Sequence, residues 1–159
     1  MNCKPNKIIA IDPDVEKNGV AYLYTPTKEI EVQSLRFPAL LEFLSNYEAS
    51  KDVVVVIEAS WNTRHNWHGK YGDSRRISAA KGYDVGRNHQ TGNLIVEMCQ
   101  FWGIPVVECY PLKKMWKGPD GKITHDELMN VVRTNGYKFT LARTNQEVRD
   151  ACLMAINYG

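Results

Sequence analysis

Four acidic residues stand where their type and spacing could do chemistry. The apolar runs Lys7-Ile8-Ile9-Ala10-Ile11-Asp12 and Val53-Val54-Val55-Val56-Ile57-Glu58 each end in a carboxylate. An acid at the mouth of a buried strand is unfavourable unless something positive meets it. Later in the chain, Glu147 and Asp150 lie one helical turn apart, beside an apolar stripe of Val148, Ala151, Cys152 and Ala155. Should that helix cross the carboxyl ends of the strands, the four acids converge and repel one another. Divalent cations relieve such repulsion, and an all-oxygen donor set suits Mg²⁺ or Mn²⁺. Two such ions a few ångströms apart are the usual apparatus of phosphodiester hydrolysis.

The elements needed to position these acids follow from the patterning. Turn chemistry from Pro13 to Gly19 separates the first strand from Val20–Tyr24, and Thr25-Pro26-Thr27-Lys28 leads to a third strand through Ile30, Val32 and Leu35. Pro38 opens a helix carrying Leu40, Leu41, Leu44 and Tyr47, ahead of the strand that ends at Glu58. Residues 61–91 show no clean period and are expected to form a functional or mobile loop with room for a short helix. A helix follows over Asn93–Phe101, stopped by Gly103, and Pro105–Cys109 is a fifth strand. Thr124-His125-Asp126-Glu127 and Thr144-Asn145-Gln146-Glu147 have the form of capping boxes ahead of two final helices. Three antiparallel strands feeding two crossover units predict a mixed α/β sheet with helices on both faces. The strands ending at Asp12 and Glu58 would then be parallel neighbours, with both carboxylates at the edge where open α/β sheets carry their sites.

Bulk properties narrow the class. A chain of 159 residues, 43% apolar and 24% charged, suits one globular domain over residues 1–159. No apolar run approaches the roughly 20 residues of a membrane span, and Met1-Asn2-Cys3-Lys4-Pro5 lacks the apolar stretch of a secretory signal, so a cytoplasmic location is expected. Cys3, Cys99, Cys109 and Cys152 are scattered without paired zinc spacing and read as reduced, packed thiols. A net charge of +2 does not by itself announce a nucleic-acid partner.

In order and spacing the chain resembles the RuvC-type Holliday junction resolvases. The resemblance is carried by Ile11-Asp12-Pro13 with Gly19 following, Ile57-Glu58, Gly92 read as opening a helix, Tyr110-Pro111, and Asp150-Ala151. It implies an RNase H-like fold with a five-stranded mixed sheet, and a homodimeric Mg²⁺-dependent endonuclease that nicks opposed strands of a four-way DNA junction in a bacterial cell or phage-infected host. The family's four acids correspond to Asp12, Glu58, Glu147 and Asp150, holding two ions. Departures are the Asp14 that replaces a common glycine and the Glu147 that replaces Asp or His. Glu147 also fits the third helical position of a capping box begun by Thr144, so it has two readings.

The resemblance further implies a junction-stacking aromatic at Trp61, three positions after Glu58. The segment that follows carries Arg64, Lys70, Arg75, Arg76, Lys81 and Arg87 against only Asp73 and Asp84, interleaved with Trp67, Tyr71 and Tyr83. Such a mixture suits phosphate contact plus base stacking. A second basic group, Lys113, Lys114, Lys117 and Lys122, precedes the penultimate helix. Of two lysines that the family has there, Lys114 matches one loosely, with Met115 at the strict spacing, and His125 stands in place of the other. His65, His68 and His89 lack metal-ligand spacing and read as phosphate contacts or exposed residues.

Three rival classes remain. An ATP-binding relative of the fold needs two such domains and a glycine-rich turn, where this chain has Asp14 and Lys17. Another RNase H-like nuclease, acting on branched DNA or RNA–DNA hybrid, shares the acids. A catalytically inactive junction binder would gain by shedding acids near phosphate, yet all four are present.

Overall fold

The computed structural model describes residues 5–63, 70–139, 141 and 143–159. Strands β1 (Lys7–Asp12), β2 (Asn18–Tyr24) and β3 (Glu29–Leu35) are followed by helix α1 (Phe37–Ser45), strand β4 (Val53–Glu58), helix α2 (Arg75–Phe101), strand β5 (Val106–Cys109), and helices α3 (His125–Thr134) and α4 (Gln146–Tyr158). The five strands form one sheet in the order β3-β2-β1-β4-β5. Pairing is antiparallel for β1 with β2 and β2 with β3, and parallel for β1 with β4 and β4 with β5. This is the mixed sheet the sequence predicts.

Both central strands are buried on two faces, which explains their nearly unbroken apolar runs. Ile9, Ile11, Val53, Val55 and Ile57 pack with Leu40, Leu44, Ile95 and Cys99 on the α1/α2 side. Ile8, Ala10, Val54 and Val56 pack with Leu128, Val132, Ala151 and Cys152 on the α3/α4 side. Alternation along a strand has period two, so Asp12 continues the face of Ile8 and Ala10, and Glu58 that of Val54 and Val56. Both acids therefore face the side covered by α4. Cys99 and Cys152 are buried free thiols, and burial pushes each up to about 12. Cys109 is half-buried and free, and Cys3 lies outside the described residues.

The expected loop over 61–91 is corrected from Arg75 onward: α2 runs 27 residues to Phe101, about 40 Å. Gly92 lies inside this helix and does not open it. Ser74 caps the true start, its hydroxyl oxygen accepting the Ile77 N–H at 3.3 Å. The first half was unreadable because it has no core to face. From Arg75 to Ala80 every residue is exposed, so no apolar stripe marks a helical period, whereas Ile95, Val96 and Cys99 supply one later. Among the described residues no helix is long and apolar enough to cross a membrane.

Candidate active site

Parallel pairing aligns Ile11 with Ile57, so Asp12 and Glu58 are the next residues along adjacent strands. Helix α4 supplies the remaining acids by lying across β1 and β2. Its approach depends on Gly19, which pairs with Asp12: a Cβ there would stand 2.2 Å from the Glu147 backbone. Only glycine lets the first turn of α4 come so near. The helix begins one residue later than its sequence signature implies, because Asn145 is the N-cap and accepts the Val148 N–H at 2.9 Å. Glu147 is therefore not the partner of a capping box begun by Thr144. Its carboxylate makes no hydrogen bond or ion pair among the described residues, and it contributes to the field at Asp12.

The four acids act on one another. Burial holds the Asp12 carboxyl well above the usual carboxylate range, and Glu58, Asp150 and Glu147 add to the shift, while Lys122 opposes it. Burial and Asp150 raise Glu58, against the Leu112 N–H that it accepts and the charges of Lys122 and Lys114. The Lys122 ammonium lies 3.2 Å from Asp150 Oδ2. Burial alone would lower this lysine, but Asp150, Asp12 and Glu58 together raise it. The second Asp150 oxygen, Oδ1, accepts the Gln146 amide at 2.7 Å. Asp150 itself is only 6% exposed. A small cavity beside the cluster is lined by Glu58, Leu112, Lys114, Gly121, Lys122 and Asp150.

As a donor set, neighbouring carboxylate oxygens at the end of the sheet fit a hard divalent cation. Among the described residues, however, no three such side chains are gathered tightly enough to ligate an ion as they stand. Asp150 is the side chain most firmly held elsewhere, with both oxygens occupied by protein donors. The ligands that fit are Asp12, Glu58, Asp150 and Glu147, and they need rearrangement to close.

Asp14, in the turn after Asp12, has a structural task. Its Oδ1 accepts the Glu16 N–H at 2.8 Å, and its own N–H donates to Oδ1 of the fully buried Asn18 at 3.1 Å. Asn88 of α2 accepts the Val15 N–H at 3.0 Å and donates to Asp14 Oδ2 at 3.4 Å. The turn that follows Asp12 is thus fastened to the long helix. None of this was foreseen from sequence, because Asn88 is 74 residues from Asp14.

The expected nucleic-acid groups divide. Trp61 is half-buried with its ring against Gly92, where a Cβ would meet it at 2.2 Å. Its indole N–H donates to Glu108 at 3.1 Å. Part of that ring is thus packed within the chain and part remains exposed. Arg75, Arg76 and Arg87 are exposed along α2, with Arg87 over the Tyr83 ring at 5.5 Å. Lys81 is paired with Asp73 at 2.5 Å, and the Lys70 N–H bonds the same carboxylate, so Lys81 is a partly neutralised cation. Lys113, Lys114 and Lys117 are exposed on the segment leading to Lys122. His125 bonds Thr144 Oγ1 at 3.0 Å, joining the starts of α3 and α4. Arg64, His65, Trp67 and His68 lie outside the described residues.

Solved structures with this architecture exist. The chain superposes on Thermus thermophilus RuvC in complex with a Holliday junction substrate with a TM-score of 0.51 and 13% identity, covering 94% of this chain and 90% of that one. The fold is RNase H-like. A second Thermus thermophilus RuvC structure aligns at a TM-score of 0.47 and 14% identity, over 94% of this chain and 91% of that one. No protein-family profile and no curated protein sequence matches. At such identities the likeness is one of fold, and in this RNase H-like frame Asp12 and Glu58 sit at the carboxyl ends of the two central parallel strands, with Glu147 and Asp150 on α4.

Proposed function

We propose that this protein is a divalent-cation-dependent, structure-selective DNA endonuclease that cuts four-way junctions as a homodimer, leaving 5′-phosphate and 3′-hydroxyl ends. The observation that carries this reading is the placement of Asp12 and Glu58 at neighbouring strand ends of an RNase H-like sheet, with Glu58 and Asp150 lining one cavity beside Lys114 and Lys122. The RuvC neighbour holds a Holliday junction, which directs the choice of substrate. Bound at these carboxylates, Mg²⁺, or Mn²⁺ in its place, would neutralise charge at the scissile phosphate and activate the attacking water.

The chain's own side chains have separable tasks. Asp12, at the end of the central strand next to Glu58, would be a ligand of the cation together with Glu58, Glu147 and Asp150. Lys113, Lys114 and Lys117 draw the phosphodiester backbone toward the acids, and Arg75, Arg76 and Arg87 offer a second basic track along α2. Two symmetric cuts require two copies of the site, hence the dimer. A cytoplasmic location follows from a DNA substrate in a bacterial or phage-infected cell.

The test is cleavage of a labelled synthetic four-way junction in Mg²⁺, beside linear duplex, RNA–DNA hybrid and the Asp12→Asn variant. Paired nicks confined to the junction, and at least about a 100-fold loss in the variant, are expected. Equal cutting by both proteins, or equal cutting of junction and duplex, overturns the proposal.

A further inference from the structure

Lys122 and Gln146 both hold Asp150, and the way each is held gives that contact meaning. Lys122 ends a tight turn: the Gly118 N–H donates to its carbonyl at 2.9 Å, and its own N–H donates to the Pro119 carbonyl at 3.1 Å. Gly121, at φ +73°, packs against the Lys114 backbone, and a Cβ at Gly118 would lie 2.4 Å from the Lys122 carbonyl oxygen. Beyond Lys122, Ile123 is buried, and Thr124 opens α3 with a full capping box. The lysine backbone is thus fixed on both sides. Gln146 is just as constrained, since its Oε1 accepts from Arg149 Nη2 at 2.8 Å, leaving Nε2 to face Asp150. Arg149 is itself anchored on the Ile123 carbonyl at 2.9 Å.

We infer that Lys122 and Gln146 form a clamp that competes with the divalent cation for Asp150, so that metal entry requires the Lys122 ammonium to leave this carboxylate. This rests on reading the acids as a cation site. The ammonium supplies, by tether, the positive charge that Asp12, Glu58 and Asp150 need when no ion is bound. Each Asp150 oxygen already gives a lone pair to a protein donor, so an incoming divalent ion meets a carboxylate weakened as a ligand on both sides and, at Oδ2, the repulsion of the Lys122 charge. The clamp is thus a positioning device with a threshold: it keeps the acids together at low metal and gives way when metal is abundant.

Binding of Mn²⁺, followed by loss of the free-ion signal in electron paramagnetic resonance, tests the inference without substrate. Lys122→Met should bind Mn²⁺ about three- to tenfold more tightly than wild type, and its melting temperature without metal should fall. Gln146→Ala removes a donor without changing charge, and should tighten binding by about twofold. Lys113→Met removes the same charge from the same segment without touching Asp150, and should change affinity less than Lys122→Met. Weaker Mn²⁺ binding by Lys122→Met would make the lysine a mere support of Asp150 and overturn the clamp. Equal tightening by Lys113→Met, with Gln146→Ala unchanged, reduces the effect to general electrostatics and also overturns it. Should Lys122→Met fail to fold, Gln146→Ala against Lys113→Met still decides. Absence of Mn²⁺ binding in wild type and all variants fails the metal reading itself, whereas equal binding by all of them fails only the clamp.

Discussion

Asp12 pairs with Gly19 on one side and stands beside Glu58 on the other, so its carboxylate meets neighbours of its own charge before any cation. Its folded pKa is raised above the unfolded value of about 3.9, and Glu58 is raised above its own of about 4.3. Between the unfolded and folded values the native state holds more protons than the unfolded chain, so stability falls as pH rises through that window. Metal-free wild type should therefore lose stability from about pH 4 upward by this route. Asp12→Asn removes the largest part of the loss, and in chelator should be the more stable protein at pH 7, with the advantage shrinking toward pH 4. Denaturant melts at both pH values measure it, and an advantage that grows on acidification contradicts the account. At this scale the sequence was legible where a residue ends an element. Asp12 and Glu58 stood out because apolar runs delivered them. Lys122 read as one lysine among several, and Gln146 and Arg149 gave no signal, because their roles depend on how a turn lands against α4.

Helix α2 joins two environments in one element. Its second half packs Ile95, Val96 and Cys99 into the core, while its first half is held by the Ser74 cap, the Asp73–Lys81 pair and the Arg87–Tyr83 contact. Exposed contacts of that kind are weak, so the first half should open without the rest of the protein. Hydrogen exchange of the metal-free chain should show amides of Ala79–Gly86 exchanging at least about tenfold faster than those of Ile95–Cys99. Uniform protection along the helix would contradict this. The same division explains what sequence patterning reached. It located the segment from Asn93 to Phe101, where one face is buried, and missed Arg75–Thr91, where helix is set by capping and local pairs. The strands were legible because alternation or full burial imprinted them, and the start of α4 was misjudged by one residue because Thr144 and Asn145 are both competent caps.

Across the whole molecule the charge is nearly balanced at +2, so any attraction for DNA depends on placement. Lys113 and Lys114 line the cavity of Glu58 and Asp150, Lys117 is exposed on the same segment, and on the proposed function each phosphate contact they made would release counter-ions. The slope of log binding constant against log salt should become shallower by about 2–3 when all three are changed to alanine, measured by junction binding in Ca²⁺. An unchanged slope would remove this segment from the interface.

The fastening of the β1–β2 turn to Asn88 gives this architecture a mechanical property. Asn88 lies about halfway along α2, with roughly 20 Å of helix projecting ahead of it. The outer arm can therefore open or bend while the half beyond Asn88 stays packed, and the tether at Asn88 keeps the turn beside Asp12 in place when it does.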